Sequence, residues 1–507
     1  MERNKVAILG AKAGIMSQFC TIIVKFIVRT YTIHFLGKEI LGLDSVLIDT
    51  INMLSLAEMG VTSAMLFRLY TPIVKQDKNR VGEWMATYRK IYRFIAVIIS
   101  FLGIIISFFL SHIIKDVSIS WSIIYIAYYI QLLNIVCSYL LAYERILLNA
   151  VQKKYVCLIV DAVGVVVFSI FKVISIVVFS SYLLYLVISV IQTVSCNTWL
   201  YIYSKKRYAF AINGMKSKAE DLKIIVCDAK EVLANKISSF VYSSTDNLII
   251  SAFMGTGIVG VFSNYKYVMS ALRSMINSAM ITMQPLIGNY LNSNITKENS
   301  YKTLKRYTFI RFLIAAGTAI PFIVVVDSFV LLWTGKEQYL MSSEISILLA
   351  IDYYVGCIYG SLGEYLTGMG KFKQIKYATF LGTITNIVFS LIGVILFGVR
   401  GVLVATVISQ IVIWVIEAYF LLWGYYHDYV LAKKDYLIMQ IKFFTVIFLC
   451  VVLVLNVKNV TNIDNLYFRI LFYGLMSELI LSIEVILVWY HTDEFYFLLQ
   501  MIKNVLK

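Results

Sequence analysis

Long unbroken apolar runs dominate the chain. From about residue 12 to residue 490, stretches of about twenty apolar residues follow one another, parted by short polar breaks. Each is long enough to cross the hydrocarbon core of a bilayer as a helix. Fourteen spans are expected, at about 12–36, 43–71, 91–114, 119–142, 155–179, 182–204, 232–254, 257–284, 307–333, 342–367, 377–397, 401–425, 436–456 and 467–490. The runs are continuous rather than alternating, which argues against a membrane β-barrel. The fold class this predicts is an all-α integral membrane protein with about 14 transmembrane helices.

Composition agrees. Of the 507 residues, 60% are hydrophobic and 15% charged, and mean hydropathy is +0.81. A soluble chain could not solvate that surface. The first run lacks a small-residue cleavage site after a short apolar core, so it is expected to remain as the first membrane helix. The seven cysteines lie in or beside apolar runs without a CxxC pair, and the four histidines lack metal-ligand spacing. They read as small buried hydrophobes and scattered imidazoles, so neither disulfides nor a metal site is expected.

The net charge of +16 is explained by topology. With the N-terminus in the cytoplasm, about thirty of the 45 Lys and Arg fall on the inner side, among them Lys75, Lys78, Arg80, Lys153, Lys154, Lys205, Lys206, Arg207 and Lys371. About six, including Lys38, Lys115 and Arg400, fall outside. This predicts cytoplasmic N- and C-termini, with attraction to anionic membrane lipids and no nucleic-acid partner. Outer loops are short, so an extracytoplasmic catalytic domain, and with it a glycosyltransferase or polymerase, is not expected: the chain reads as no enzyme.

A repeat divides the chain. Phe35-Leu36-Gly37-x-x-Ile40-x-Gly42 recurs as Phe253-Met254-Gly255-x-x-Ile258-x-Gly260. Gln152-Lys153-Lys154-Tyr155 is echoed by Gln374-Ile375-Lys376-Tyr377 at nearly the same offset. Two pseudo-symmetric six-helix lobes follow, related as a parallel repeat with substrate expected in a central cavity at their interface. The divisions are 1–204 (N-lobe), 205–230 (cytoplasmic amphipathic linker), 231–432 (C-lobe) and 433–507 (two extra helices and an amphipathic tail).

Polar residues at helical spacing mark cavity-facing stripes. They occur as Gln18, Thr21, Lys25, Arg29 and Thr32; as Asp49, Asn52, Ser55, Glu58 and Thr62; as Asn235, Ser239, Ser243 and Asp246; and as Asn264, Lys266, Ser270, Arg273 and Asn277. Most other spans lack comparable stripes. Lys25, Arg29, Lys266 and Arg273 outnumber Glu58 and Asp246, and a cation-rich cavity favours an anion, Arg matching phosphate oxygens in pairs. These four are the candidate substrate-binding cations. Glu58 and Asp246, with Asn52, Asn264 and Asn277, are polar lining residues, the two carboxylates either neutralising the cations or serving H+ or Na+ coupling; no other cofactor is expected. Asp352, Glu364 and Glu417 are further intramembrane carboxylates, structural or coupling. Arg68, Arg93, Arg311 and Lys442 are expected to reach the headgroups, Pro321 to kink its helix, and Gly356-x-x-x-Gly360 to allow close helix packing.

FLGKEILGLDSVLIDTINMLSLAEMGVTSAM followed by LYTPI, and TDNLIISAFMGTGIVGVFSNY followed by QPLIGNYL, resemble the Wzx-type flippases, in the polysaccharide transporter branch of the multidrug/oligosaccharidyl-lipid/polysaccharide exporter superfamily. The resemblance implies a V-shaped pair of lobes, alternating access, and a cargo of undecaprenyl-pyrophosphate-linked oligosaccharide moved to the outer leaflet for capsule, exopolysaccharide or O-antigen synthesis. It also implies a polysaccharide polymerase and export machinery as partners. Another lipid-linked precursor, or a cation-coupled exporter of the same superfamily, is the alternative.

Overall fold

The computed structural model describes residues 2–55, 58, 61–140, 143–212, 220–222, 224–225, 244–280, 287, 290–291, 296–461 and 463–505. The described residues are helical apart from turns and short connections. Of their helices, ten are long and apolar enough to cross a membrane. These match the expected spans outside the four stripe-bearing ones. The described parts of those four are also helical, apart from a turn at Glu58.

Contacts divide the chain into two compact units, Met1–Gly260 and Val261–Lys507. The expected joining segment lies upstream of that division, and its residues 213–219, 223 and 226–230 lie outside the described set.

The first unit contains α1 (Glu2–Phe35), α2 (Gly37–Leu54), α3 (Val61–Val74), α4 (Lys78–Ser107), α5 (Trp121–Leu140), α6 (Tyr143–Ala150), α7 (Lys154–Val177), α8 (Tyr182–Arg207), α9 (244–254) and the start of α10 (Thr256–Met280). Local chemistry sets several boundaries. Asp77 accepts from the Arg80 amide at 3.0 Å to cap α4, and Ser181 accepts from the Leu184 amide at 3.2 Å to cap α8. α1 packs along α7, α5 along both α4 and α8, and α7 on α8. α6, the start of α7 and the end of α8 close on Leu148, Val156, Cys157 and Leu200. Part of the joining segment is anchored here: Asp221 accepts from both terminal nitrogens of Arg80, at 2.9 and 2.6 Å.

The repeat has a structural meaning inside this unit. Gly37 and Gly255 both take positive φ, +82° and +91°, so each first glycine makes a turn that side-chain-bearing residues resist. The second glycines meet. A Cβ on Gly42 would lie 2.0 Å from the Thr256 carbonyl oxygen, and one on Gly260 would lie 1.9 Å from that of Lys38. α2 and the start of α10 therefore touch backbone to backbone, and Asn247 donates to Asp49 at 2.7 Å nearby.

The expected second span, 43–71, is not one helix. α2 ends at Leu54, α3 begins at Val61, and Glu58 occupies the turn between them. Its carboxylate accepts from the hydroxyls of Thr62, Tyr92 and Tyr139. These hydrogen bonds to other segments favour the break over a continuous helical stripe.

The second unit contains the rest of α10, α11 (Lys297–Thr334), α12 (Ser343–Gly368), α13 (Phe372–Phe397), α14 (Val399–Tyr419), α15 (Val430–Val460), α16 (Leu466–Trp489) and α17 (Asp493–Val505). α11 runs unbroken through Pro321 and ends on Gly335 at φ +66°. α11 packs on α12, α15 and α16. Phe309, Phe312, Phe443 and Trp489 stack at that junction, with Phe312 and Phe443 parallel at 4.0 Å. Gly393 and Gly401 bring α13 and α14 together: a Cβ on Gly401 would lie 1.9 Å from the Gly393 carbonyl oxygen. After Tyr419 the backbone widens into a π-helical turn over Phe420–Tyr425. α17 is pinned to the N-terminal part of α11 by Arg306 on Asp493 and Lys305 on Glu494, both at 2.8 Å.

Candidate functional site

In the first unit, α1 carries Lys25, exposed, and Arg29, half-buried, one turn apart. α2 presents Asp44. Its Oδ1 accepts from Tyr182 Oη at 2.9 Å and Gln131 Nε2 at 3.1 Å. Arg29 and Lys172 both lie within Coulombic reach of that carboxylate, and Lys25 of Lys172. Lys172 donates to Gln192 Oε1 at 2.8 Å and sits over the Tyr185 ring. Two cations thus lie near one carboxylate, with a third near one of them, in a setting where each ionisable group is costly to keep.

A second polar group lies farther along the same helices. Arg145 of α6 grips Asp161 of α7 through two nitrogens, at 2.7 and 2.8 Å, and its Nε donates to Asn197 Oδ1 of α8 at 2.9 Å. Asp161 and Lys172 are eleven residues apart on α7, three helical turns, so one face of that helix serves both groups. Beside Arg145 and Asp161 is a cavity of about 420 Å³, to which Glu58, Tyr139 and Gln192 also contribute. A second cavity of about 290 Å³ is lined by Asp44, Asn52, Gln131 and Asn134. The two share Ser138 and Thr193 as walls.

Several of these residues escape the stripe analysis. Gln131, Asn134 and Ser138 of α5, and Ser189, Gln192, Thr193 and Asn197 of α8, line the cavities, so α5 and α8 do carry polar faces. Their 3–4 spacing was the available signal. It is diluted by the strongly apolar remainder of each helix.

In the second unit, Arg273 donates to Asp352 Oδ2 at 2.9 Å, and Gln410 Nε2 donates to the other carboxylate oxygen. The Arg273 side chain keeps 39% of its exposure and lies over Tyr353. Its charge is therefore partly compensated by Asp352. Lys266 is half-buried over the Phe262 ring at 5.7 Å. Asn264 is buried and Asn277 exposed. Asp246 belongs to the first unit and is buried, at 3% exposure. Asn52 is an exposed wall of the smaller cavity. Of the stripe expected in the span at 232–254, Asn235, Ser239 and Ser243 lie outside the described residues.

Two expectations are corrected. Arg311 does not reach the headgroups: it is 5% exposed and pairs with Glu364, which also accepts from Tyr307. A buried carboxylate partner offsets the desolvation that snorkelling otherwise avoids. The Gly356 and Gly360 pair does not serve helix backbones. A Cβ on Gly360 would lie 2.6 Å from the Arg311 guanidinium, and one on Gly356 would meet Gln410 and Arg273 at 3.7–3.8 Å. The glycines make room for side chains. Arg93 and Lys442 are exposed.

Among the described residues no cluster of His, Cys, Asp and Glu could hold a metal ion, and six cysteines are free; Cys227 lies outside them.

Comparison with known proteins adds the family. The profile of the family described as "Polysaccharide biosynthesis protein" matches residues 10–291. No curated protein matches the sequence. Among solved structures, the lipid II flippase MurJ in an inward closed conformation is similar at a TM-score of 0.70 and 14% identity, over 95% of this chain and 99% of that one. A multidrug resistance MATE family transporter of the MOP superfamily is similar in its inward-facing form at a TM-score of 0.62 and 15% identity, over 84% and 99%. An outward-facing MATE form is similar at 0.54 and 16% identity, over 85% and 98%. At these identities the structures show a common fold. The chain therefore belongs to the polysaccharide biosynthesis protein family, and its long apolar helices and shared fold make it a multi-pass membrane protein.

Proposed function

We propose that this protein flips undecaprenyl-pyrophosphate-linked oligosaccharide repeat units from the inner to the outer leaflet of the bacterial cytoplasmic membrane by alternating access. The observation that carries the reading is the placement of Arg29 and Lys172 near Asp44, with Lys25 near Lys172, in a membrane helix unit. A pyrophosphate supplies the negative charge this group lacks, and a guanidinium binds it through paired hydrogen bonds. Lys25 and Arg29 are assigned to pyrophosphate contact in the first unit, Lys266 and Arg273 to the same task in the second. Fourteen spans with both termini in the cytoplasm complete the reading, the extra pair being 433–490.

The test is transport in the host with the native gene deleted. Lipid-linked repeat unit in the outer leaflet is measured by its susceptibility to an externally added glycosidase or periodate. The wild-type gene restores it, and Arg29→Ala at matched expression does not. Full restoration by Arg29→Ala combined with Lys25→Ala and Lys172→Ala overturns the cation argument. Failure of the wild-type gene to restore it, with another lipid-linked precursor moved instead, overturns the cargo.

A further inference from the structure

We propose that the larger cavity of the first unit, beside Arg145 and Asp161, is a saccharide subsite that receives part of the glycan while the pyrophosphate lies at Arg29 and Lys172. The inference rests on the reading above that the cargo carries an oligosaccharide.

Charge is the first argument. Asp44 has two cations within Coulombic reach, Arg29 and Lys172, whereas the larger cavity sets Glu58 and Asp161 against Arg145 alone. The first surrounding suits an anion. The second repels one and accepts a neutral or amino-bearing group. The two cavities share Ser138 and Thr193 as walls, so a ligand with an anionic end and a neutral polar end can lie across both.

Donor and acceptor chemistry is the second. A sugar hydroxyl both donates and accepts. Glu58, Arg145, Asp161, Gln192 and Asn197 supply carboxylate, guanidinium and amide groups in one place, and Tyr139 adds a ring. The volume of about 420 Å³ falls in the ordinary range of small-molecule sites, about 300–1,000 Å³. A packed membrane helix bundle does not need such a lining, because small residues and apolar contacts suffice to hold helices together.

A dedicated cation site fits less well. Both oxygens of Asp161 are engaged by Arg145. Both oxygens of Glu58 accept from hydroxyls, of Thr62 and Tyr92 on one side and Tyr139 on the other. A bare Na+ would have to displace these donors and sit close to the Arg145 guanidinium.

The test uses the full-length protein in lipid nanodiscs and two probes. One is undecaprenyl pyrophosphate. The other is the same lipid bearing the host's repeat unit, extracted from a host strain lacking this gene. Affinities are measured for wild type, for Val165→Phe, which fills part of the larger cavity alone, and for Asp161→Asn, which removes a charge while keeping the side-chain shape. Wild type is expected to bind the glycan-bearing lipid roughly tenfold or more tightly than the bare lipid, the worth of one or two good hydrogen bonds. Each variant is expected to lose that preference and keep its affinity for the bare lipid. Arg29→Ala is expected to weaken both probes alike. Equal binding of the two probes by wild type overturns the subsite, as does an undiminished preference in Asp161→Asn with an unchanged melting temperature. If wild type binds neither probe, the flippase reading itself fails.

Discussion

Arg29 and Arg311 show how one residue type takes opposite roles in the membrane. Arg311 is enclosed with Glu364, so it reads as architecture. Removing one member of a buried ion pair leaves the other charge unpaired, at a cost of about 3–5 kcal/mol. Arg311→Leu should therefore lower the melting temperature of the detergent-solubilised protein markedly, while Arg311→Leu with Glu364→Leu should recover much of the loss. Arg29 is half-buried beside the smaller cavity's Asp44, so its loss should affect transport more than stability. One charged hydrogen bond is worth about 1.5–3 kcal/mol, which corresponds to a fall of roughly 10- to 100-fold in flux. Flux and melting temperature measured on the same preparations separate the two roles, and an Arg29→Ala protein that transports normally but melts early would reverse the assignment.

The helices meet at glycines and at their charged ends. Gly42 and Gly260 allow α2 and the start of α10 to touch, and no rotamer relieves a clash with backbone. Overpacking costs about 1–3 kcal/mol, occasionally more, so Gly42→Val or Gly260→Val should reduce folded yield, whereas Gly257→Ala, whose added Cβ meets nothing within 4 Å, should not. Size-exclusion profiles of the three variants make the comparison. Near the start of α11, Arg306 and Lys305 hold α17. The hydrogen bond from Arg306 draws the Asp493 pKa below the usual carboxylate value. A depressed folded pKa means this contact contributes fully above the unfolded value of about 3.9 and is lost as pH falls through the lower folded one. Exposed pairs are worth only about 0.2–1 kcal/mol. Protection of α17 in hydrogen exchange should thus be steady from neutral pH to about pH 5 and decline only in stronger acid, and Asp493→Asn should weaken it even at neutral pH.

For the molecule as a whole, the charge bias of the loops makes a topology that can be measured. In a cysteine-free background, Lys38→Cys and Lys115→Cys should react with a membrane-impermeant maleimide added to intact cells. Lys154→Cys and Lys371→Cys should react only after permeabilisation. All four lysines are exposed, so accessibility reports sidedness rather than burial. A reversed or mixed pattern would remove both the span count and the orientation on which inner-to-outer transport depends.

What this sequence determined by itself follows from local patterns. Apolar run length set the class, because a bilayer demands about twenty residues of internally hydrogen-bonded helix. The FxGxxIxG repeat marked equivalent turns, because positive φ at Gly37 and Gly255 is a local demand. Lys25 and Arg29 stood out because a charge in an apolar run is conspicuous. Tertiary structure decided the remainder, because partners came from distant segments. Hydroxyls of Tyr92 and Tyr139 hold Glu58 in a turn where a helical stripe was expected. Asp352, 79 residues from Arg273, tempers that cation. Arg145, Asp161 and Asn197 come from three helices, and no spacing within one helix announces their meeting. Which polar residue faces a cavity, and which only satisfies a neighbour, is a property of the packed bundle, since the same side chain is costly alone and inexpensive once paired.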